Sequence, residues 1–286
     1  MFKKMNLRFH WNTMLRFTLL GLLATGFVIT VGFTEKRQQE MLCMELIIAI
    51  QNNSSHEFID KGDVEQLIRD KFGSLIGKPI HAINISLLEN IICNDPFVSH
   101  AEVFSTINGK LNIEVIPRDP IVRIIDLSGE SYYIDQEGVI MPLSEKYSAS
   151  VPVASGFISA MKTMQRVRTR TDIGNHDTSF HPLTIEKVFM LADYLKHHDF
   201  WNAQMQQVYV HEEGDMELVP RVGNHHILFG DLSAGKAGVE EMDEKFNRLF
   251  LFYQQGLSKQ GWNNYSLINL KYKDQIVCTK TKMNGK

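Results

Sequence analysis

The chain has 286 residues, a formal net charge of -3 and three cysteines. Less about 35 residues for a tail and an anchor, that length holds one large domain or two small ones, and 44% hydrophobic side chains permit a packed core. The slight negative charge excludes a nucleic-acid binder and strong electrostatic steering. Cys43, Cys93 and Cys278 are too widely spaced for a disulfide framework or a CxxC metal site, which leaves one Cys43–Cys93 bridge or three free thiols.

The first element, Phe17 to Thr34, carries no charged residue. As a helix rising about 1.5 Å per residue it would span roughly 27 Å, close to the hydrocarbon thickness of a bilayer. Lys3, Lys4, Arg8 and Arg16 precede it without any acidic residue. The positive-inside rule therefore predicts a cytoplasmic tail at 1–16, a transmembrane helix at 17–34, and the rest of the chain beyond the cytoplasm. One rival is a cleaved secretory signal, whose apolar core runs about 7–15 residues to a small-x-small site. Here Phe27, Val28, Ile29 and Val31 continue past Ala24-Thr25-Gly26. The other rival, a buried core helix, would be apolar on one stripe rather than all round.

Cys43 to Ile50 reads as a buried strand. Val64, Leu67, Ile68 and Phe72 then recur at helical spacing, with Asp60 or Asp63 as the N-cap and Gly73 at the end. Ser86 to Glu89, SLLE, is a capping box opening a second helix through Leu87, Leu88, Ile91 and Ile92, which Asn94-Asp95-Pro96 stops. In the next strand Ala101 and Val103 oppose His100, Glu102 and Phe104. Asn108-Gly109 signals a hairpin into Leu111, Ile113 and Val115, and Arg118-Asp119-Pro120 closes the unit. The order strand, helix, helix, strand, strand makes a small α+β layer.

Behind a single apolar segment, this order resembles a POTRA domain, the polypeptide-transport-associated module. Asp95-Pro96-Phe97-Val98, then Leu111 to Val115, then Arg118-Asp119-Pro120-Ile121-Val122-Arg123 are similar to the bacterial division family FtsQ/DivIB. That family shows a P-x-V turn, a strand and an E-R-x-P-V-A segment in this order. Pro117 stands in place of the usual glutamate, and Ile121-Val122 in place of valine and alanine.

After Pro120 the chain turns to strands. Tyr132 to Ile140 reads as strand, turn, strand around Gly138, similar to the family's Y-x-x-D-x-x-G hairpin, and Pro152 to Gly156 continues the sheet. Lys162, Arg166, Arg168 and Arg170 form a basic loop or short helix. Ile185, Val188, Phe189, Ala192 and Leu195 predict a helix starting near Pro182, and Met242, Phe246, Leu249, Phe250 and Tyr253 another that Gly256 ends. Between them, strands are expected at 205–211, 216–219 and 225–229. The last strands are Ser266 to Tyr272, similar to the family's V-D-L-R-Y signature, and Gln275 to Lys280. The expected architecture is α+β: a transmembrane helix, a POTRA-like domain at 43–119, a mixed, mainly antiparallel β domain with flanking helices at 120–280, and a tail at 281–286.

The chain shows no catalytic or metal constellation and no cofactor motif. Of its eleven histidines none forms HExxH, and neighbours such as His225-His226 point to opposite faces of a strand. Ser233 to Lys236 falls short of a P-loop. Binding remains. The final strand, near the C-terminus, reads as a sheet edge open to strand addition, with Trp262 and Tyr265 as candidate anchors beside it or as core aromatics. The resemblance implies that the small bitopic division proteins FtsB and FtsL dock on Tyr272, Gln275, Ile276, Val277, Cys278 and Thr279. The alternative is that Ile276 and Cys278 face inward and residues 281–286 cover the edge. The resemblance further implies a non-catalytic scaffold at the division septum, in the inner membrane, meeting other septal proteins through the POTRA domain. The rivals are a POTRA-bearing secretion or outer-membrane assembly factor and a membrane-anchored wall hydrolase.

Overall fold

The structure is a computed structural model that describes residues 18–27, 41–51, 57–159, 183–233 and 235–281. Residues 18–27 form a helix, α1, whose leucines and Phe27 are exposed. The remainder of the expected span, residues 17 and 28–34, lies outside the described residues, as does the basic stretch Lys162 to Arg170. Among the described residues no helix is long and apolar enough to cross a membrane. The chain divides into two compact units, Met1–Gln51 with Ile59–Ile116, and Asn52–Phe58 with Pro117–Lys286.

In the first unit a three-stranded sheet carries two helices. β1 (Glu45–Ile50) runs parallel to β3 (Lys110–Pro117), and β2 (Val98–Ser105) lies on the far side of β3. The parallel pair follows from the connection between them, since parallel neighbours need a crossover and α2 (Lys61–Phe72) and α3 (Ile85–Cys93) supply it. Alternation along β3 buries Leu111, Ile113 and Val115 against Val64, Ile68, Leu88 and Ile92 of the helices. Asp60 caps α2, exchanging bonds with Asp63 in a capping box. The start of α3 differs from the SLLE expectation: Asn84 accepts the Leu87 N–H, while Glu89 reaches across to accept the Val103 N–H of β2 at 2.9 Å. A tertiary bond has taken the glutamate that the local motif would have used. Gly109, at φ 75°, completes the hairpin turn.

The second unit is a nine-stranded sheet with helices packed on it. Its strands are β4 (Pro120–Ile125), β5 (Ser131–Asp135), β6 (Ile140–Met141), β7 (Val153–Gly156), β8 (Met205–Val210), β9 (Met216–Pro220), β10 (His226–Gly230), β11 (Tyr265–Asn269) and β12 (Val277–Lys280). The order is β12-β11-β10-β9-β8-β7-β4-β5-β6. Hairpins make the antiparallel pairs. β7 runs parallel to β4 and β8, and β11 runs parallel to β10.

α4 (Thr184–Lys196) and α5 (Asp199–Gln204) lie between β7 and β8, and α6 (Gly235–Phe252) lies between β10 and β11. Rings fill the core: Phe246 of α6 stacks on Tyr194 of α4 at 5.1 Å and meets Trp201 at 4.8 Å and Phe229 of β10 at 5.0 Å. Gly256 does not end the last helix. The chain passes through a π-helical turn (Tyr253–Leu257) and a short α7 (Ser258–Gln260) to Gly261, whose φ is 93°. A Cβ on Gly256 would sit 2.7 Å from the Phe252 ring, so this glycine serves packing rather than termination.

Candidate functional site

The nine-stranded sheet ends in β6 and β12. β6 is two residues long and its Met141 is fully buried, so it offers little to a partner. β12 is the longer edge, and its backbone direction follows from two bonds. Thr281 donates its N–H to the Asn264 carbonyl at 3.0 Å, and the Ser266 hydroxyl donates to the Thr279 carbonyl at 3.4 Å. Backbone groups of an antiparallel strand alternate in direction, so Val277 and Thr279 face β11 while Cys278 and Lys280 turn their N–H and C=O outward.

The side chains alternate as well. Ile276 and Cys278 are half-buried against the core, and burial pushes the Cys278 thiol up from its ordinary range. Val277 is 45% exposed, and Gln275 and Thr279 are exposed on either side of it. Tyr272, 51% exposed, lies in the connection leading to β12.

That connection is held from α6. Arg248 donates from Nη1 to the carbonyls of Tyr272 at 2.6 Å and Gln275 at 3.3 Å, and from Nη2 to that of Leu270 at 3.4 Å. A guanidinium presents several donors in one plane, which suits it to gather converging carbonyls. The Asp215 carboxylate accepts from Lys271 Nζ, and this bond and its charge raise the lysine pKa. Neither Arg248 nor Asp215 has a sequence signal pointing here, because each acts across more than twenty residues.

Trp262 and Tyr265 serve the core rather than the outer edge. Tyr265 is buried, its hydroxyl donates to Gln260 Oε1, and its ring meets Phe252 edge-on at 5.8 Å. Trp262 is half-buried against Tyr253 at 4.9 Å and His225 at 6.2 Å. His225 itself is buried, with Nε2 3.0 Å from the Tyr253 hydroxyl, and burial lowers its pKa.

The remaining polar clusters have structural partners. His226, on the other face from His225, meets Glu217, which also meets His211 at 2.9 Å. His197 and His198 bond carbonyls in the last turn of α4. Asp135 receives Arg118 at 2.7 Å and the N–H groups of Glu137 and Val139 in its hairpin. Among the described residues no group of three His, Cys, Asp or Glu could hold a metal ion. All three cysteines are free.

The architecture and the site define a class: a POTRA-like module followed by a β domain with an exposed C-terminal edge strand. The model of a POTRA-like domain matches residues 41–116, and that of FtsQ/DivIB, C-terminal related, matches residues 119–279. The chain belongs to the FtsQ/DivIB family, which places it in cell division. It is 25% identical over 205 residues to the cell division protein FtsQ of Rhodothermus marinus, covering 70% of this chain and 67% of that relative.

Proposed function

We propose that this chain is a non-catalytic scaffold of the division septum, anchored in the inner membrane by residues 17–34 with its N-terminus cytoplasmic. In this reading the POTRA-like domain (43–119) meets other septal proteins, and the β domain (120–280) docks small bitopic partners of the FtsB/FtsL kind. The anchor is supported by the uncharged run itself and by the exposed leucines of α1. The docking edge is supported above all by β12, an outermost strand whose Cys278 and Lys280 turn backbone donors and acceptors away from the sheet. An incoming strand gains main-chain hydrogen bonds there and is read by the side chains around it.

The test is co-purification of the tagged full-length chain from its own membranes, beside a Cys278→Pro variant. Proline at Cys278 removes an outward N–H, whereas proline at Val277 would cut the ladder to β11. Circular dichroism checks that the variant folds. Small single-pass division proteins are expected with the wild type and not with the variant. If both retain them the edge is wrong, and if neither brings down any division protein the scaffold reading falls.

A further inference from the structure

One end of the first unit gathers large apolar side chains that its core does not use. Three segments meet there. Cys43 donates its N–H to the Lys78 carbonyl and accepts the Gly77 N–H, both at 2.8 Å, and Leu42 bridges to Pro79. Met44 donates its N–H to the Gly109 carbonyl of the β2–β3 turn, also at 2.8 Å. A Cβ on Gly109 would lie 2.7 Å from the Leu42 carbonyl and 3.5 Å from Met44 Cγ, so the turn sits directly against the segment leading into β1.

On this end Ile107 is 85% exposed and Met44 75%, with Ile76 and Leu42 exposed beside them. Single apolar residues on a surface are ordinary, and turn tips are usually polar; four large ones brought together from three segments need an occupant. Lys78 and Lys110 flank them, and Lys110 pairs with Glu45 at 2.7 Å. Large apolar groups rimmed by lysine stems suit the boundary between lipid headgroups and acyl chains.

The chain itself indicates the occupant. Leu42 follows Thr34, the end of the uncharged run, by only eight residues, and the charges between them, Glu35, Lys36, Arg37 and Glu40, balance. Eight residues reach about 28 Å at full stretch. If residues 17–34 span the membrane, this end is held beside its outer surface at high effective concentration. We propose that the end carrying Leu42, Met44, Ile76 and Ile107 docks on the lipid surface of the membrane that anchors the chain. The docking rests on the anchor reading above and goes beyond it: the first unit lies on the bilayer by this end rather than hanging free on its tether.

The test uses the full chain reconstituted in phosphatidylethanolamine/phosphatidylglycerol vesicles. The photo-cross-linking residue p-benzoylphenylalanine is placed at Ile107, at Met44 or, as a control, at Asn94. Asn94 is exposed beyond the opposite end of β2, roughly 23 Å away along the strand. Alkaline carbonate extraction is run on the same samples. The expected result is a chain that resists extraction and forms lipid adducts several-fold more at Ile107 and Met44 than at Asn94. A chain that resists extraction without that excess, or that cross-links to a second copy instead, overturns the lipid docking and leaves the anchor standing. A chain released by carbonate overturns both.

Discussion

The two units build their cores from different materials. The fully buried set of the first is aliphatic apart from Cys43, with Phe72 and Phe97 only at its margin. The second buries Tyr132, Phe189, Tyr194, Trp201, Phe229, Phe246, Tyr253 and Tyr265 together. A small layer of two helices on three strands closes with Leu, Ile and Val. Bringing α4, α5 and α6 together over a long sheet leaves wider gaps, which rings fill in stacked and edge-on pairs. The first core therefore rests on alternation within short elements, and the second on meetings between residues far apart in the chain.

The sharpest way to break that contrast is at its buried rings. Phe246→Ala is expected to cost the second unit about 3–5 kcal/mol, and Leu88→Ala in the first about 2–5. Hydrogen exchange should quicken in α6 and β10 for the former and in α3 and β2 for the latter. An alanine at Phe246 that costs less than one at Leu88 would show that the rings are filler.

A smaller effect comes from His225. Burial lowers its pKa in the fold from 6.5, so the unfolded chain takes up the proton first as pH falls. Stability from the neutral imidazole is complete above 6.5 and is lost below it, at a limiting slope of about 1.4 kcal/mol per pH unit. Urea unfolding from about pH 7.5 down to about pH 5.5 should show this loss in the second unit, and His225→Gln should flatten it. An unchanged slope would assign the acid sensitivity to other groups.

The smallest effect is expected at Arg248. Arg248→Ala removes donors from three carbonyls and should cost about 1 kcal/mol, felt mainly as faster amide exchange in β12. Exchange unchanged in β12 would mean that the edge is held by β11 alone.

How much of this was legible follows the same divide. The helix of Val64, Leu67, Ile68 and Phe72, the Asn108-Gly109 turn and the alternation of Leu111, Ile113 and Val115 depend on neighbours a few residues away, and they stand where their pattern puts them. The cap of α3 moved because Glu89 found a partner in β2. α5 is too short to show a period. The end of the last helix moved because Gly256 answers to the Phe252 ring rather than to chain termination.

At the candidate edge, sequence indicated an edge strand and left open whether Ile276 and Cys278 join the docking surface or face inward. Which backbone groups point outward, the core placement of Tyr265 and the grip of Arg248 appear only in three dimensions. By itself the sequence determined the periodic elements, the turns and the uncharged run at 17–34, because these are set by local sterics and by hydrophobic pattern. The tertiary structure alone decided that β11 lies parallel to β10 across α6 and that Leu42, Met44, Ile76 and Ile107 share one end. Those depend on contacts between distant residues, whose free energy is gained only once the whole unit has closed.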